Sequence, residues 1–261
     1  MKNLRKKRNV QPGGMSFATN GQKSNMYAKA ATWNPFKGCR FDCTYCEPSF
    51  KRQAKRQKEN KKKTRGCDQC YRYVPHCHDD HRLKTIPSEP IIFACGNADV
   101  AFCPASFMRK IIERIKEHNK RSKPKTFYFQ SKKPAYFEPF LDQFPDNVVL
   151  LTTLETNRDD GYEAISKAPP PSVRYEQFKK LDYPRKVVTV EPLMDFDLRT
   201  FFAWIRNLQP EYTWLGFNSK PKAVTLPEPS EKKAQKLVDR LLDAGIEIRG
   251  KTLRGVQLDR Q

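Results

Sequence analysis

From residue 90 onward, short apolar runs alternate with segments whose apolar residues recur at helical spacing, and that alternation leaves few folds open to the chain. Strand-like runs fall at 90–95, 126–129, 148–152, 186–190 and 212–216, with a further short one at 246–248. Helix candidates lie between them: 106–115, whose apolar residues form one face, then 134–142, 173–181 and 197–208, the last with Asp197 as N-cap. A final helix runs from Ser230, another N-cap, to Leu242, with Gly245 near its end. Residues 28–33 add an earlier strand, which Asn34-Pro35 stops. At least six βα units imply a mainly parallel sheet with right-handed crossovers. An open doubly wound sheet and a six-unit partial barrel both satisfy this pattern. In either, functional groups collect at the carboxyl ends of the strands.

Directly after the first strand come three cysteines in the run Gly38-Cys39-Arg40-Phe41-Asp42-Cys43-Thr44-Tyr45-Cys46, with C-x3-C-x2-C spacing. Three thiolates are one short of the four that usually hold a [4Fe–4S] cluster, so one iron is left open to bind something else. A structural zinc site would need a fourth ligand and more naturally shows two C-x2-C pairs. The loop is therefore read as the ligand loop of a reactive iron–sulfur cluster.

The stretch from Trp33-Asn34-Pro35-Phe36-Lys37-Gly38-Cys39 through Cys46 resembles the radical S-adenosylmethionine (radical SAM) superfamily. Three later segments are similar to an uncharacterised, phage-associated branch of it: Phe129-Gln130-Ser131-Lys132-Lys133-Pro134, Asn147-Val148-Val149-Leu150 running on to Glu155 and Asn157, and Val190-Glu191-Pro192-Leu193. The likeness spans about residues 28 to 250. Two features depart from it: Glu47-Pro48 stands where related proteins commonly have Tyr-Ala, and a long insert follows the cysteine loop.

The resemblance implies an α/β fold, a partial (β/α)6 TIM-type barrel with a mainly parallel sheet and a small metal-binding insert. It further implies an enzyme in which Cys39, Cys43 and Cys46 hold a [4Fe–4S] cluster. S-adenosyl-L-methionine chelates the open iron, and an external one-electron reductant drives its cleavage to a 5′-deoxyadenosyl radical that modifies a substrate. Tyr45 is then expected beside the adenine. Polar groups just past strand ends are the candidates for holding the cofactor: Gly96, Asn97 and Asp99 after the second strand, Thr153, Glu155 and Asn157 after the fourth, Glu191 after the fifth and Asn218 after the sixth. Gln130, Ser131 and Lys132 end the third strand, and Lys132 would offset a carboxylate.

The insert carries a second pattern. Cys67-Asp68-Gln69-Cys70 is followed by Pro75-His76-Cys77-His78-Asp79-Asp80-His81. A C-x2-C pair followed so closely by one Cys and three His points to Zn2+. Cys67, Cys70, Cys77 and His81 form one tetrahedral set, with His76 or His78 as alternatives to His81. The segment has too few apolar residues to fold alone, so metal would supply much of its folding energy. On this reading loss of Cys67 or Cys70 lowers zinc content and solubility while the cluster can still form. Cys95 ends an apolar strand and reads as a packed small residue.

Three segments follow: a basic tail at 1–27, the barrel at 28–261, and within it a basic, metal-binding insert at 51–85. Net charge is +21 overall, and residues 1–65 hold 18 Lys and Arg against 3 Asp and Glu, a net of +15. Such a field attracts polyanions, so a nucleic acid or nucleotide is one candidate for the otherwise unknown substrate, a solvated basic tail and helix face being the alternative. No apolar stretch follows the basic amino terminus and no transmembrane run appears, which excludes a membrane role. Eight cysteines without a secretory signal read as ligands or thiols in a reducing compartment, hence cytoplasmic. The competing reading is a non-catalytic, zinc-dependent nucleic-acid-binding protein on the same scaffold.

Overall fold

The computed structural model describes residues 30–60 and 66–258. The basic tail expected at 1–27 lies outside them, as do residues 28–29, the lysine-rich run 61–65 and the last three residues. In chain order the elements are β1 (Ala30–Trp33), β2 (Phe36–Lys37), α1 (Arg52–Glu59), α2 (Asp68–Arg72), β3 (His76–Cys77), α3 (His81–Lys84), β4 (Ile91–Ala94), α4 (Ala105–Arg121), β5 (Thr126–Gln130), β6 (Val148–Thr153), α5 (Pro171–Lys180), β7 (Lys186–Val190), α6 (Leu198–Leu208), β8 (Thr213–Leu215), α7 (Glu231–Asp243) and β9 (Ile248–Gly250).

Seven strands form one sheet in the order β1-β4-β5-β6-β7-β8-β9, every pairing parallel. The sheet curls into a half-barrel of TIM type, as expected. Its central strand β6, Val-Val-Leu-Leu-Thr-Thr, is buried at every position, which is why that run shows no polar alternation. The helices pack on the outer face, where Phe107, Met108, Ile111, Ile112 and Ile115 of α4 seal one stripe against Ile92, Phe127 and Phe129. The inner face carries Phe93, Tyr128, Val149, Leu151, Val187, Tyr212 and Trp214.

Local chemistry sets the helix ends. Ser230 caps α7 by accepting from the Lys233 amide at 3.2 Å, and Pro171 opens α5 at a position where no donor is needed. Asp197 stands at the N-cap of α6 as expected, yet its carboxylate caps nothing; it accepts from Arg158 and Asn157 instead. The helix expected at 134–142 is a 3-10 turn over Pro134–Phe140, because Pro139 inside it removes an amide donor. Its Phe137 and Phe140 still fill the core. The seventh parallel strand and the small antiparallel ladder of β2 with β3 complete the picture.

Candidate active site

The cysteine loop begins where β2 ends and is tied down on three sides. Its Gly38 has φ of +92°. The Gly38 amide donates to the Asn97 carbonyl at 3.0 Å, and Asn34 Oδ1 accepts from the Asn97 amide at 3.0 Å, joining the loop to the one that follows β4. The Cys39 amide donates to the Tyr73 carbonyl at 3.4 Å, from the insert. The Thr44 amide donates to Ile165 O at 2.9 Å, and Lys167 donates its amide to Phe41 O at 2.7 Å, both from the segment after β6. Asp42, at φ of +53°, turns the chain between the first two cysteines, and its carboxylate takes Lys51 and Lys167.

Cys39, Cys43 and Cys46 all line a cavity of about 450 Å³ at the carboxyl ends of the strands. Burial pushes the Cys39 thiol up. Cys43 is pulled down to about 6 by a hydrogen bond from Cys46 and by Lys132, against its burial, and the Ser166 hydroxyl lies 3.0 Å from its sulfur. Among the described residues these three thiols do not draw together with other donors as a set for a single ion. Three soft thiol donors on one wall fit a multi-iron cluster with an open corner.

Of the sequence-predicted cofactor residues, Tyr45, Gly96, Asn97, Asp99, Thr153, Glu191 and Asn218 lie on the cavity wall, together with Gln130 and Lys132. Gln130 donates to Thr153 Oγ1 at 2.7 Å, and Thr189 donates to the same oxygen at 2.9 Å, making a polar row across three adjacent strands. Glu191 accepts from the Trp214 indole at 2.6 Å and pairs with Lys251 at 3.4 Å. Asn218 spends its side chain on its own loop, donating to Val224 O at 2.7 Å and accepting from the Lys220 amide at 2.9 Å. Asp99 is buried, which raises its carboxyl, and it accepts from Ser131 Oγ and from the Ala101 and Lys132 amides.

Two predicted residues sit elsewhere. Asn157 accepts from the Asp197 amide at 2.8 Å and lies off the wall. Glu155 is wholly buried behind Tyr45, where it accepts from the Tyr45 hydroxyl at 2.5 Å and the Tyr162 hydroxyl at 3.1 Å and pairs with Lys132 at 2.5 Å and Arg174 at 2.7 Å. Burial alone would raise its carboxyl; Arg174 and Lys132 override that and hold it at about 2. Its lone pairs are already taken, so it orients Tyr45 and Lys132 rather than offering an acceptor to a ribose.

In the insert the structure groups a set that differs from the first one expected and includes both of its alternates. Cys67, Cys70, His76 and His78 bring one donor atom each to within 4.8 Å of all the others. Cys77 and His81 are not among them. Residues 76–78 run extended, so side chains alternate: His76 and His78 share one side while Cys77 points to the core and Cys103. His81 is exposed on α3, beside Asp80.

No family model matches the chain, and no curated protein sequence matches it. Among solved structures it is similar to a spore photoproduct lyase variant with bound AdoMet and a dinucleoside spore photoproduct. Sequence identity is 12%, the TM-score is 0.48, and the likeness covers 80% of this chain and 60% of that one. The chain therefore spans less than two thirds of that neighbour's length.

Three site residues escaped the sequence reading. Arg174, inside α5, is fully buried, with its guanidinium 4.8 Å over the Tyr162 ring. An arginine within a helix reads as surface, and nothing around it signals otherwise. Tyr73 takes the left-handed conformation after α2, and its ring lines the cavity. Trp214 sits in β8 among apolar neighbours and reads as core.

Proposed function

We propose that the chain is a radical SAM enzyme. The observation that carries this reading is the placement of Cys39, Cys43 and Cys46 together on the wall of a cavity ringed by strand carboxyl ends. With cluster and S-adenosyl-L-methionine bound, a reduced site would supply a 5′-deoxyadenosyl radical for hydrogen abstraction. Cys39, Cys43 and Cys46 would be the ligands. Gly96 and Asn97 lie on the wall beside the cysteine loop, where they would bound the methionyl end. Lys132, charged because Glu155 outweighs the cost of its burial, provides a cation on the same wall. Tyr45, Thr153, Glu191 and Asn218 would bound the rest of the cofactor. Electrons would come from an external one-electron donor, and the later segments are read as those of a phage-associated branch.

The proposed substrate is a nucleic acid or nucleotide. Arg52, Lys55, Arg56 and Lys58 are exposed on α1, which continues directly from the cysteine loop through a π turn at Glu47–Lys51. A polyanion held there arrives beside the cavity, with a log-affinity slope against log salt of about −0.9 per duplex phosphate neutralised. The set that converges in the insert, two thiols and two imidazoles, suits structural Zn2+. Free cysteines throughout favour a reducing, cytoplasmic setting, and no described helix is long and apolar enough to cross a membrane.

Anaerobic iron and sulfide analysis with a visible spectrum tests the reading. The expected result is about four irons per chain and a spectrum that changes when S-adenosyl-L-methionine is added. Zinc without iron after reconstitution would overturn it in favour of a binding protein.

A further inference from the structure

The backbone that delivers Cys39 to the cavity is held by the insert. At Gly38 a Cβ would lie 2.2 Å from both the carbonyl carbon and oxygen of Val74 and 2.5 Å from Pro75 N, so the two backbones are in direct contact and only glycine fits. On one side of that contact β2 pairs with β3, Lys37 opposite His76, and the His78 amide donates to Pro35 O at 2.6 Å. On the other, Tyr73 O accepts from the Cys39 amide. Residues 35–39 thus rest on residues 73–78 at nearly every position. Tyr73 also contributes its ring to the cavity, stacked on Phe50 at 6.0 Å.

Besides the ladder with β2, the stacking of Tyr73 and the partial packing of Cys77, the segment's buried contacts come from its donor side chains. From 66 to 80 the buried side chains are Cys70, His76 and His78. All three are donors, and α2 is only five residues long. These buried imidazoles and the thiol converge on one another, a grouping that binding of a cation between them would stabilise. Their arrangement says which. The separations are 3.6 Å for Cys67 Sγ to Cys70 Sγ, 3.3 Å from each sulfur to His76 Nε2, and 3.3 Å from Cys70 Sγ to His78 Nε2. A tetrahedron with Zn–S of about 2.3 Å and Zn–N of about 2.0 Å has edges of roughly 3.3 to 3.8 Å. His76 donates Nδ1–H to Val74 O at 2.8 Å, leaving the Nε2 lone pair facing both sulfurs. Arg82 Nη1 lies 2.7 Å from His78 Nε2, so metal entry requires that guanidinium to move toward Asp80, 3.9 Å away.

We propose that one Zn2+ bound by Cys67, Cys70, His76 and His78 clamps residues 73–78 against residues 35–39, so that filling this site sets the position of Cys39 and Tyr73 on the cavity wall and is coupled to cluster assembly. The coupling to iron rests on the radical SAM reading; the clamp itself does not. It reverses the sequence-level expectation that the cluster can still form when Cys67 or Cys70 is lost.

The experiment uses the full chain, a Cys67→Ser/Cys70→Ser double variant, and His78→Cys, which keeps four zinc ligands. Zinc is measured by elemental analysis, Cys39 alkylation by peptide mass spectrometry before reconstitution, and iron after anaerobic reconstitution. The expected result is about one zinc in wild type and His78→Cys and none in the double variant, where Cys39 alkylates at least fivefold faster and iron falls at least threefold. Wild-type alkylation and iron in a zinc-free double variant would overturn the clamp, and a wild-type chain that takes up neither Zn2+ nor Co2+ would overturn the site. Zinc-dependent Cys39 protection without iron in any protein would instead count against the radical SAM reading and leave the clamp standing. Should the double variant fail to fold, chelation of the wild-type chain gives the same alkylation comparison, with unchanged Cys39 reactivity again overturning the proposal.

Discussion

Cys43→Ala, reconstituted anaerobically, is expected to keep less than one iron per chain where the parent protein takes about four. Cys43 is the most enclosed of the three thiols, with Ser166 at its sulfur and Phe41, Tyr162 and Met194 in the same apolar cluster. No described donor stands ready to replace it, because the nearby Glu155 is committed to four partners and Asp99 to three. Cys95→Ser serves as the control. Cys95 packs in the outer core and not on the cavity wall, so its loss should leave iron unchanged. Near-parental iron in Cys43→Ala would remove Cys43 from the ligand set and with it the basis of the proposed chemistry.

Arg174→Met is expected to destabilise the fold by about 3–5 kcal/mol, the range seen when one partner of a buried ion pair is removed. The Arg174 guanidinium donates to Thr153 O at 2.5 Å and to Glu155 Oε2 at 2.7 Å, and both side chains of the pair are fully buried. Removing it leaves the Glu155 carboxylate with Lys132 as its one cation. A pH series adds a signature that plain packing loss lacks. Glu155 is held at about 2 in the fold against an ordinary 4.5, so its contribution is fully present above about 4.5 and disappears as pH falls through about 2. Without Arg174 the folded value rises, and the acid-side loss of stability becomes smaller across that window. Denaturant midpoints from pH 7 down to pH 3 report both effects. An unchanged midpoint at pH 7 would show that the buried pair contributes nothing.

Much of the architecture was legible in sequence because the parallel sheet writes itself as apolar runs: β4, β5, β6 and β7 lie where those runs were read, shifted by a residue or so at their ends. The cysteine loop was legible through spacing alone. What sequence could not show is who faces whom across the fold. Glu155 looked like a free acceptor past a strand end, and only the fold brings Arg174 up to it from nineteen residues away. In the insert, composition announced a Cys/His site, but choosing ligands required knowing that 76–78 is extended. In that conformation neighbours in the chain face opposite ways, which set Cys77 aside. The 134–142 segment had helical spacing, and a proline within it decided the outcome.

The sheet's two edges never meet: among the described residues β1 pairs only with β4, and β9 only with β8. A closed barrel can widen only by breaking ladder hydrogen bonds, which is costly. Here that closure constraint is absent, so β1 and β9 each keep one backbone row that no other described strand of the sheet occupies.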